Sequence, residues 1–382
     1  MEIDLRALES NYRFLRSLLP ADAFFCPLIK ANAYGHGDIE VAKRLRTAGC
    51  THYGVALLEE AIGLRESGDT GKILVFGLFD PASAHVIFDF GLTPVVSEWH
   101  QLEALEKIAV ARNVGAVEIH IKFNTGMNRL GFDVDQAPGL RKWLDTHKRF
   151  KLEGICTHLL RGDDAGAPGG ESESQMKAFA EALAPFKGLG AKAHALNSSG
   201  TANLWKRVLD HKDLGGAFWP LGARPGISLY GIQPSNDEGA RLNLKPVLSL
   251  KTKIVTMHRL QTGDRLSYNA TWRASKPSLI AVLPIGYADG YMRLLSNKAS
   301  VLCRGRRAPV AGTVCMDYIM VDLTEVEAAT GPIGVGEDIV LIGEQGSERI
   351  LAQELADLVG TIPYEILTGM GARIPRKYVD GK

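Results

Sequence analysis

Phe24-Phe25-Cys26-Pro27-Leu28-Ile29-Lys30-Ala31-Asn32-Ala33-Tyr34-Gly35-His36-Gly37 is an apolar run of strand length that stops at a single lysine and turns at once through small residues, one tyrosine and one histidine. A lysine at the end of a buried strand is half desolvated, so its amine falls in pKa and can serve as nucleophile or base. That is what a Schiff-base lysine requires, and pyridoxal phosphate (PLP) is the commonest partner of such a lysine. A lysine that merely leaves a sheet and snorkels to water writes the same local pattern. The stretch therefore carries this chemistry only if the rest of the chain supplies the other parts of a PLP site.

Working outward, short apolar or β-rich runs recur at Phe24–Ile29, His52–Ala56, Ile73–Phe76, Pro94–Val96, Val117–Lys122, Leu152–Thr157, Ala191–Leu196 and Arg224–Tyr230. Helical periods lie between them, as at Ile39–Arg46, Leu58–Ser67, Trp99–Ala111, Gln175–Phe186 and Thr201–Arg207. Eight strands separated by helix-sized crossovers are the pattern of a closed β/α barrel. An open doubly wound sheet alternates in the same way. Polar residues favour the barrel, because Lys30, Thr157-His158, Asn197-Ser198 and Arg224 or the nearby Gly226 fall at or just inside the carboxyl ends of these runs. In a barrel those ends share the face where active sites are built.

The expected fold class is α/β, with an N-terminal (β/α)8 TIM-type barrel over residues 1–240 followed by a mostly-β C-terminal domain over 241–382. The turn cluster Asn236-Asp237-Glu238-Gly239 marks the change. Beyond it come β runs at Leu248–Val255, Leu279–Leu283, Ser300–Leu302, Tyr318–Val321 and Ile339–Ile342, with one helix near Leu351–Val359 after a cap-like Ser347. The Gly/Asp/Ser-rich stretch Arg161–Ser174 is expected to be the most flexible.

Forty-four basic residues against 43 acidic leave a net charge of +1. With no basic block, nothing points to nucleic acid or an anionic membrane. The five cysteines, Cys26, Cys50, Cys156, Cys303 and Cys315, form no CxxC or Cys/His spacing, so no metal site is expected. The N-terminus opens on charged residues and no apolar stretch approaches ~20 residues, so the expected location is the cytoplasm.

The opening motif closely resembles the PLP-lysine motif of the alanine racemases. The similarity runs nearly the whole chain, from Glu2-Ile3-Asp4-Leu5 through Asn11 to Ile362-Pro363-Tyr364-Glu365-Ile366 and Arg373-Ile374-Pro375-Arg376. The resemblance implies that Lys30 is the cofactor's attachment point and one catalytic base, and that Tyr34, Ser198, Gly226, Ile227 and Tyr364 hold the phosphate. The residues agree: Asn197-Ser198-Ser199-Gly200 follows a strand and opens a helix, so its N–H groups and hydroxyls can bind an anion. Ser198 would serve equally as that helix's N-cap.

Arg224 matches the arginine that this family sets against the pyridine nitrogen, where most PLP enzymes place a carboxylate. An always-charged donor leaves the nitrogen unprotonated and restrains transamination and decarboxylation. Racemisation needs a base on each face of the reacting carbon. The resemblance assigns the second to Tyr268, in Leu266-Ser267-Tyr268-Asn269-Ala270-Thr271-Trp272-Arg273, polarised by His158 and, behind it, Arg224. In the family this tyrosine comes from the partner subunit, which implies a head-to-tail homodimer with shared active sites.

Arg129, in Lys122-Phe123-Asn124-Thr125-Gly126-Met127-Asn128-Arg129-Leu130-Gly131-Phe132, matches the arginine that binds the PLP phenolic oxygen and the substrate carboxylate. Lys122 matches a lysine that is often carbamylated. Met316, in Gly312-Thr313-Val314-Cys315-Met316-Asp317, matches a backbone contact to that carboxylate, and Tyr287 lines the entrance. The chain departs from the family at Asn124, usually aspartate, and at Asn269, usually glycine. His36, His194 and Trp272 lie in these motifs and read as structural.

The implied activity is interconversion of L- and D-alanine, supplying D-alanine for peptidoglycan. Competing readings are a broader amino-acid racemase on the same scaffold, a PLP decarboxylase of the same layout and a PLP carrier. The decarboxylase would want a carboxylate in place of Arg224 and a reactive cysteine, for which Cys315 is the candidate. The carrier is a single barrel, at odds with the β domain bearing Tyr268.

Overall fold

The computed structural model describes residues 1–162, 170–203, 220–234 and 241–381. The turn cluster at 236–239, residues 204–207 of the expected fifth helix and half of the Gly/Asp/Ser-rich loop, 163–169, lie outside the described residues. The chain divides into two compact units. The larger comprises Leu8–Ala33 and Asp38–Lys245, and the other Met1–Ala7, Tyr34–Gly37 and Pro246–Lys382. Strand β1 (Glu2–Asp4) and the tyrosine of the opening motif thus group with the C-terminal residues.

The larger unit carries β2 (His52–Val55), β3 (Lys72–Val75), β4 (Thr93–Val96), β5 (Val117–Lys122), β6 (Phe150–Cys156), β7 (Lys192–Leu196) and β8 (Gly222–Ala223). They pair in sequential order, every pairing parallel. Residues 25–29 close the ring, since Phe25 bridges Ala223 and Leu28 bridges Gly54. Cys26 N–H donates to Ala223 O at 3.0 Å, and Ile29 N–H to Gly54 O at 2.9 Å. A regular strand was expected at 24–29, but Pro27 has no N–H to give β2, so the ladder reduces to isolated bridges. The run 224–230 is likewise no strand. β8 stops at Ala223, Pro225 cannot donate, and Ile227–Tyr230 winds into a 3-10 turn.

Side chains two apart share a strand face, which sets Glu118, His120 and Lys122 in a column on β5. Phe24, Cys26, Leu74, Val95 and Cys156 form an apolar cluster in the same unit, with Phe76 against it. The register of β5 and β6 runs Ile119↔Leu152 and then His120↔Gly154, so Glu153 is an extra, bulged residue.

The second unit is mostly β. Its strands after β1 are β9 (Leu248–Lys253), β10 (Thr256–Leu260), β11 (Arg265–Leu266), β12 (Trp272–Arg273), β13 (Ser278–Leu283), β14 (Ser300–Cys303), β15 (Arg306–Pro309), β16 (Ile319–Asp322), β17 (Asp338–Gln345), β18 (Glu348–Ile350) and β19 (Lys377–Val379). One sheet runs β15-β14-β17-β9-β1-β19 with β18 on β17, a second runs β10-β13-β16, and β11-β12 form a hairpin. The helix Ala352–Val359 is preceded by Leu351 at its N-cap, with no side-chain cap. Ser347, expected as the cap, stands instead in the turn between β17 and β18. Among the described residues no helix is long and apolar enough to cross a membrane.

Candidate active site

Lys30 leaves the barrel wall directly after the closing segment, and the chain then takes an unusual path. Ala31, Asn32, Ala33 and Tyr34 have φ of 53, 52, 53 and 53°. A left-handed turn costs an L-residue about 1–2 kcal/mol per position, so something must hold it. Glu60, on the helix Leu58–Glu66, supplies the hold: its carboxylate accepts from the Ala31 N–H and, at 2.7 and 3.0 Å, from those of Ala56 and Leu57. Asn32 Oδ1 accepts from Asp38 N–H at 3.0 Å. Nothing in the sequence pattern singled out Glu60.

The other barrel candidates stand at the carboxyl ends of strands. Lys122 ends β5, His158 follows β6, Asn197 and Ser198 follow β7, and Arg224 follows β8. Arg129 rides on the loop after β5, which is pinched by Phe132 N–H donating to Lys122 O and Asn124 N–H to Phe132 O, both at 2.9 Å. Asn124 shapes that loop, its Oδ1 accepting from the N–H of Asn128 at 2.9 Å. Gln175 ties it to the next, donating to Thr125 Oγ1 at 3.4 Å and to His158 O at 3.0 Å and accepting from Leu160 N–H at 2.7 Å.

The electrostatics are one-sided. Burial lowers the Lys30 amine and Arg129 lowers it further, while Glu60 pulls the other way. Lys122 is pushed down to about 8, chiefly by burial, with Arg224, Arg129 and Lys30 adding to it and Cys156 opposing. His158 is pushed down to about 3, by burial and then by the same four cations, so it is neutral at pH 7. Two lysines and two arginines all bearing on His158 make a bowl that calls for an anion.

Ser198 is not the helix cap. Asn197 does that work, its Oδ1 accepting from Gly200 N–H at 2.8 Å. The Ser198 Oγ instead accepts from the N–H of Gly226 at 2.9 Å and of Ser228 at 3.3 Å. A hydroxyl has two acceptor sites and one donor, so the Ser198 proton stays available for a ligand. The Ser228 Oγ beside this cradle is buried with no hydrogen-bond partner. Ile227 begins the 3-10 turn and is buried.

Arg224 is 4% exposed. Its Nη1 donates to His194 Nδ1 at 2.8 Å and to His194 O at 2.7 Å, and its Nη2 to Thr157 O at 2.6 Å. That uses three of its five N–H donors and leaves the Nε–H and one Nη2–H outside this set.

The remaining candidates belong to the second unit. Tyr34 is buried, with its ring centroid 6.1 Å from that of Tyr364. Burial pushes the Tyr364 phenol up to about 12. Gly35, at φ 84°, runs so close to this layer that a Cβ would stand 2.2 Å from Leu367 O. Tyr268 is 68% exposed, and its backbone O accepts from the Thr313 hydroxyl at 3.2 Å. It sits between residues of positive φ, Ser267 at 64° and Asn269 at 59°, the latter being where a glycine was the usual residue. Met316 and Tyr287 are also exposed, and the Met316 O accepts from Ala288 N–H at 3.1 Å.

The family model for the alanine racemase N-terminal domain matches residues 3–234, and that for the alanine racemase C-terminal domain matches 247–378. The chain belongs to the alanine racemase family. An alanine racemase of Halothermothrix orenii is 38% identical over 377 residues, covering 99% of this chain and 96% of its own. Among solved structures, the alanine racemase of Bacillus anthracis with bound L-Ala-P superposes with a TM-score of 0.85 at 32% identity, covering 99% of this chain and 94% of that one. The alanine racemase of Bartonella henselae with covalently bound pyridoxal phosphate gives 0.84 at 30%, covering 99% and 98%. The family's two-part layout of a barrel and a mostly-β region is the one described above.

Proposed function

We propose that this chain interconverts L- and D-alanine with PLP held on Lys30, and that two copies share their active sites. The observation that carries the reading is the bowl itself. Arg224, Arg129 and Lys30 all lower the Lys122 amine, all four cations bear on His158, and beside them lies the Ser198 hydroxyl, whose proton is uncommitted while its oxygen accepts from Gly226 and Ser228. A phosphate dianion and a phenolate match that donor set in charge, and the unpartnered Ser228 hydroxyl is a further group for them to meet. The residues fit the cofactor.

In this reading Lys30 binds the cofactor aldehyde, and Asn197, Ser198, Gly226, Ile227, Tyr34 and Tyr364 hold its phosphate. When bound, PLP supplies an electron sink for the charge left by the departing α-proton. Lys30, once free, moves the proton on the D-alanine side. Tyr268 Oη of the second copy moves it on the L-alanine side, with His158 and Arg224 behind it. Arg129 and the Met316 backbone of the second copy hold the substrate carboxylate, and Arg224 keeps the ring nitrogen from holding a proton. The exposure of Tyr268 leaves it open to a second copy, whose cations would supply the positive neighbours a phenol needs to act as a base near neutral pH. Residues 1–240 would hold the cofactor and 241–382 would lend the second base. Free cysteines throughout suit a reducing cytoplasm, and D-alanine for peptidoglycan is the proposed use of the product.

A D-amino-acid-oxidase-coupled assay over a panel of L-amino acids tests the activity, with turnover expected on alanine and little beyond it. Borohydride reduction followed by peptide mapping should place the cofactor on Lys30, and Lys30→Ala should lose both adduct and turnover. A reducible adduct surviving in that variant would sink the assignment.

A further inference from the structure

Arg224 does not end at His194. Arginine only donates, so His194 Nδ1 must accept from it and the His194 proton must sit on Nε2. His194 Nε2 lies 2.8 Å from His120 Nδ1. That nitrogen must therefore accept, which puts the His120 proton on its own Nε2. His120 Nε2 and Glu153 Oε2 are both buried without a hydrogen-bond partner and stand 3.9 Å apart, so the ring N–H faces a carboxylate. Lys72 anchors the other oxygen of Glu153 at 2.6 Å. A cavity of ≈ 290 Å³, lined by His52, His120, Glu153 and Lys192 among others, opens at this far end.

Two local features are shaped to admit the chain. The β6 bulge turns Glu153 toward His120, which regular alternation would not do. Gly154 makes room for the ring, since a Cβ there would stand 2.1 Å from His120 Nδ1. Burial keeps both rings neutral, as the chain of one-way bonds demands, helped by Arg224 at His194 and by His52, Lys72 and Arg224 at His120.

We propose that His194, His120 and Glu153 are positioning residues that lock the Arg224 guanidinium through a one-directional relay of hydrogen bonds crossing the barrel interior. Its effect on turnover rests on the reading of Arg224 as the partner of the cofactor nitrogen; the relay itself does not.

Nitrogen-15 NMR of histidine-labelled holoenzyme at neutral pH tests the relay without any variant. His120 and His194 should each show a single neutral ring with the proton on Nε2. An Nδ1–H tautomer or an imidazolium at either would overturn the proposal. His120→Leu removes the acceptor of the His194 Nε2–H, so that N–H signal should move to the position of an unbonded ring while its tautomer, set by Arg224, stays; kcat should fall about tenfold with KM nearly unchanged. His120→Asn keeps an acceptor oxygen in place and should restore the His194 N–H signal and most of kcat. Glu153→Leu should move the His120 Nε2–H signal and leave its tautomer unchanged. If His120→Leu leaves both the His194 signal and kcat as in the wild type, the relay positions nothing and the proposal is refuted. A changed His194 N–H signal with unchanged kcat would uphold the relay but refute the role given to Arg224. Should His120→Leu fail to fold, the wild-type spectrum and the asparagine variant decide.

Discussion

Burial, helped by Arg224, Arg129 and Lys30, brings the Lys122 amine down to about 8, so about half of it is neutral in mildly alkaline buffer. A neutral amine adds to carbon dioxide, forming an N–C bond and releasing one proton, and the product carboxylate would sit among cations. In ¹³C-bicarbonate we expect a carbamate resonance that grows as pH rises through about 8 and is missing from Lys122→Ala. An unlabelled lysine at all pH values would refute it. Arg224→Glu should slow racemisation and let pyridoxamine phosphate accumulate, because an acid in that place favours a protonated nitrogen. If turnover falls and no pyridoxamine phosphate forms, the electronic role is wrong. Lys30, His158, Ser198 and Arg224 were legible as candidates because each is a polar residue at or near the end of an apolar run, whereas Lys122 was named only through the resemblance. Tyr268 was not, because no spacing links residue 268 to residue 30. His120 left a trace that went unread: Glu118, His120 and Lys122 put polar side chains on one face of a buried strand.

Elements were read well where hydrogen bonding is repetitive and poorly where one residue breaks it. Strands β2 to β7 were legible as apolar runs. The closing segment and β8 were misjudged because Pro27 and Pro225 remove donors, which apolar content does not register. The left-handed turn after Lys30 was invisible, since alanine and asparagine carry no demand for positive φ. That turn invites a test. Ala31→Gly relieves an unfavourable φ and should stabilise the protein by about 1 kcal/mol in denaturant titrations. It should also slow borohydride capture of the Lys30 adduct by loosening the lysine's tether. A destabilised glycine variant would show that the turn is not strained. Gly154→Ala should do the opposite, costing about 1–3 kcal/mol through overpacking against His120. A melting temperature equal to wild type would mean that the ring shifts freely.

Among the described residues, the buried His120 and His194 and the half-buried His158 resist protonation: His120 and His158 at about 3 and His194 well below its ordinary value, each chiefly through desolvation. Unfolded, they would titrate near about 6.5. Between about pH 6.5 and 3 the unfolded chain therefore binds protons that the fold refuses, and stability falls on acidification. The slope is up to about 1.4 kcal/mol per pH unit for each histidine, and above about pH 7 they contribute none. Urea midpoints should drop from pH 7 to pH 5, less steeply in His120→Asn; a flat profile would contradict the burial. At the same scale, mixing inactive Lys30→Ala chains with inactive Tyr268→Ala chains should restore at most about half of wild-type activity per dimer, as two-fold sharing requires. Verified heterodimers with no activity would return both bases to one chain. The bowl's four cations have a further consequence in time rather than in equilibrium. The chain as a whole carries only +1, so a distant anion feels almost nothing until it comes within about 10 Å at ordinary ionic strength, where the local field takes over. Cofactor uptake by the stripped enzyme should accordingly be fast in dilute buffer and slow steeply as salt shortens that capture radius, while the dissociation rate changes far less.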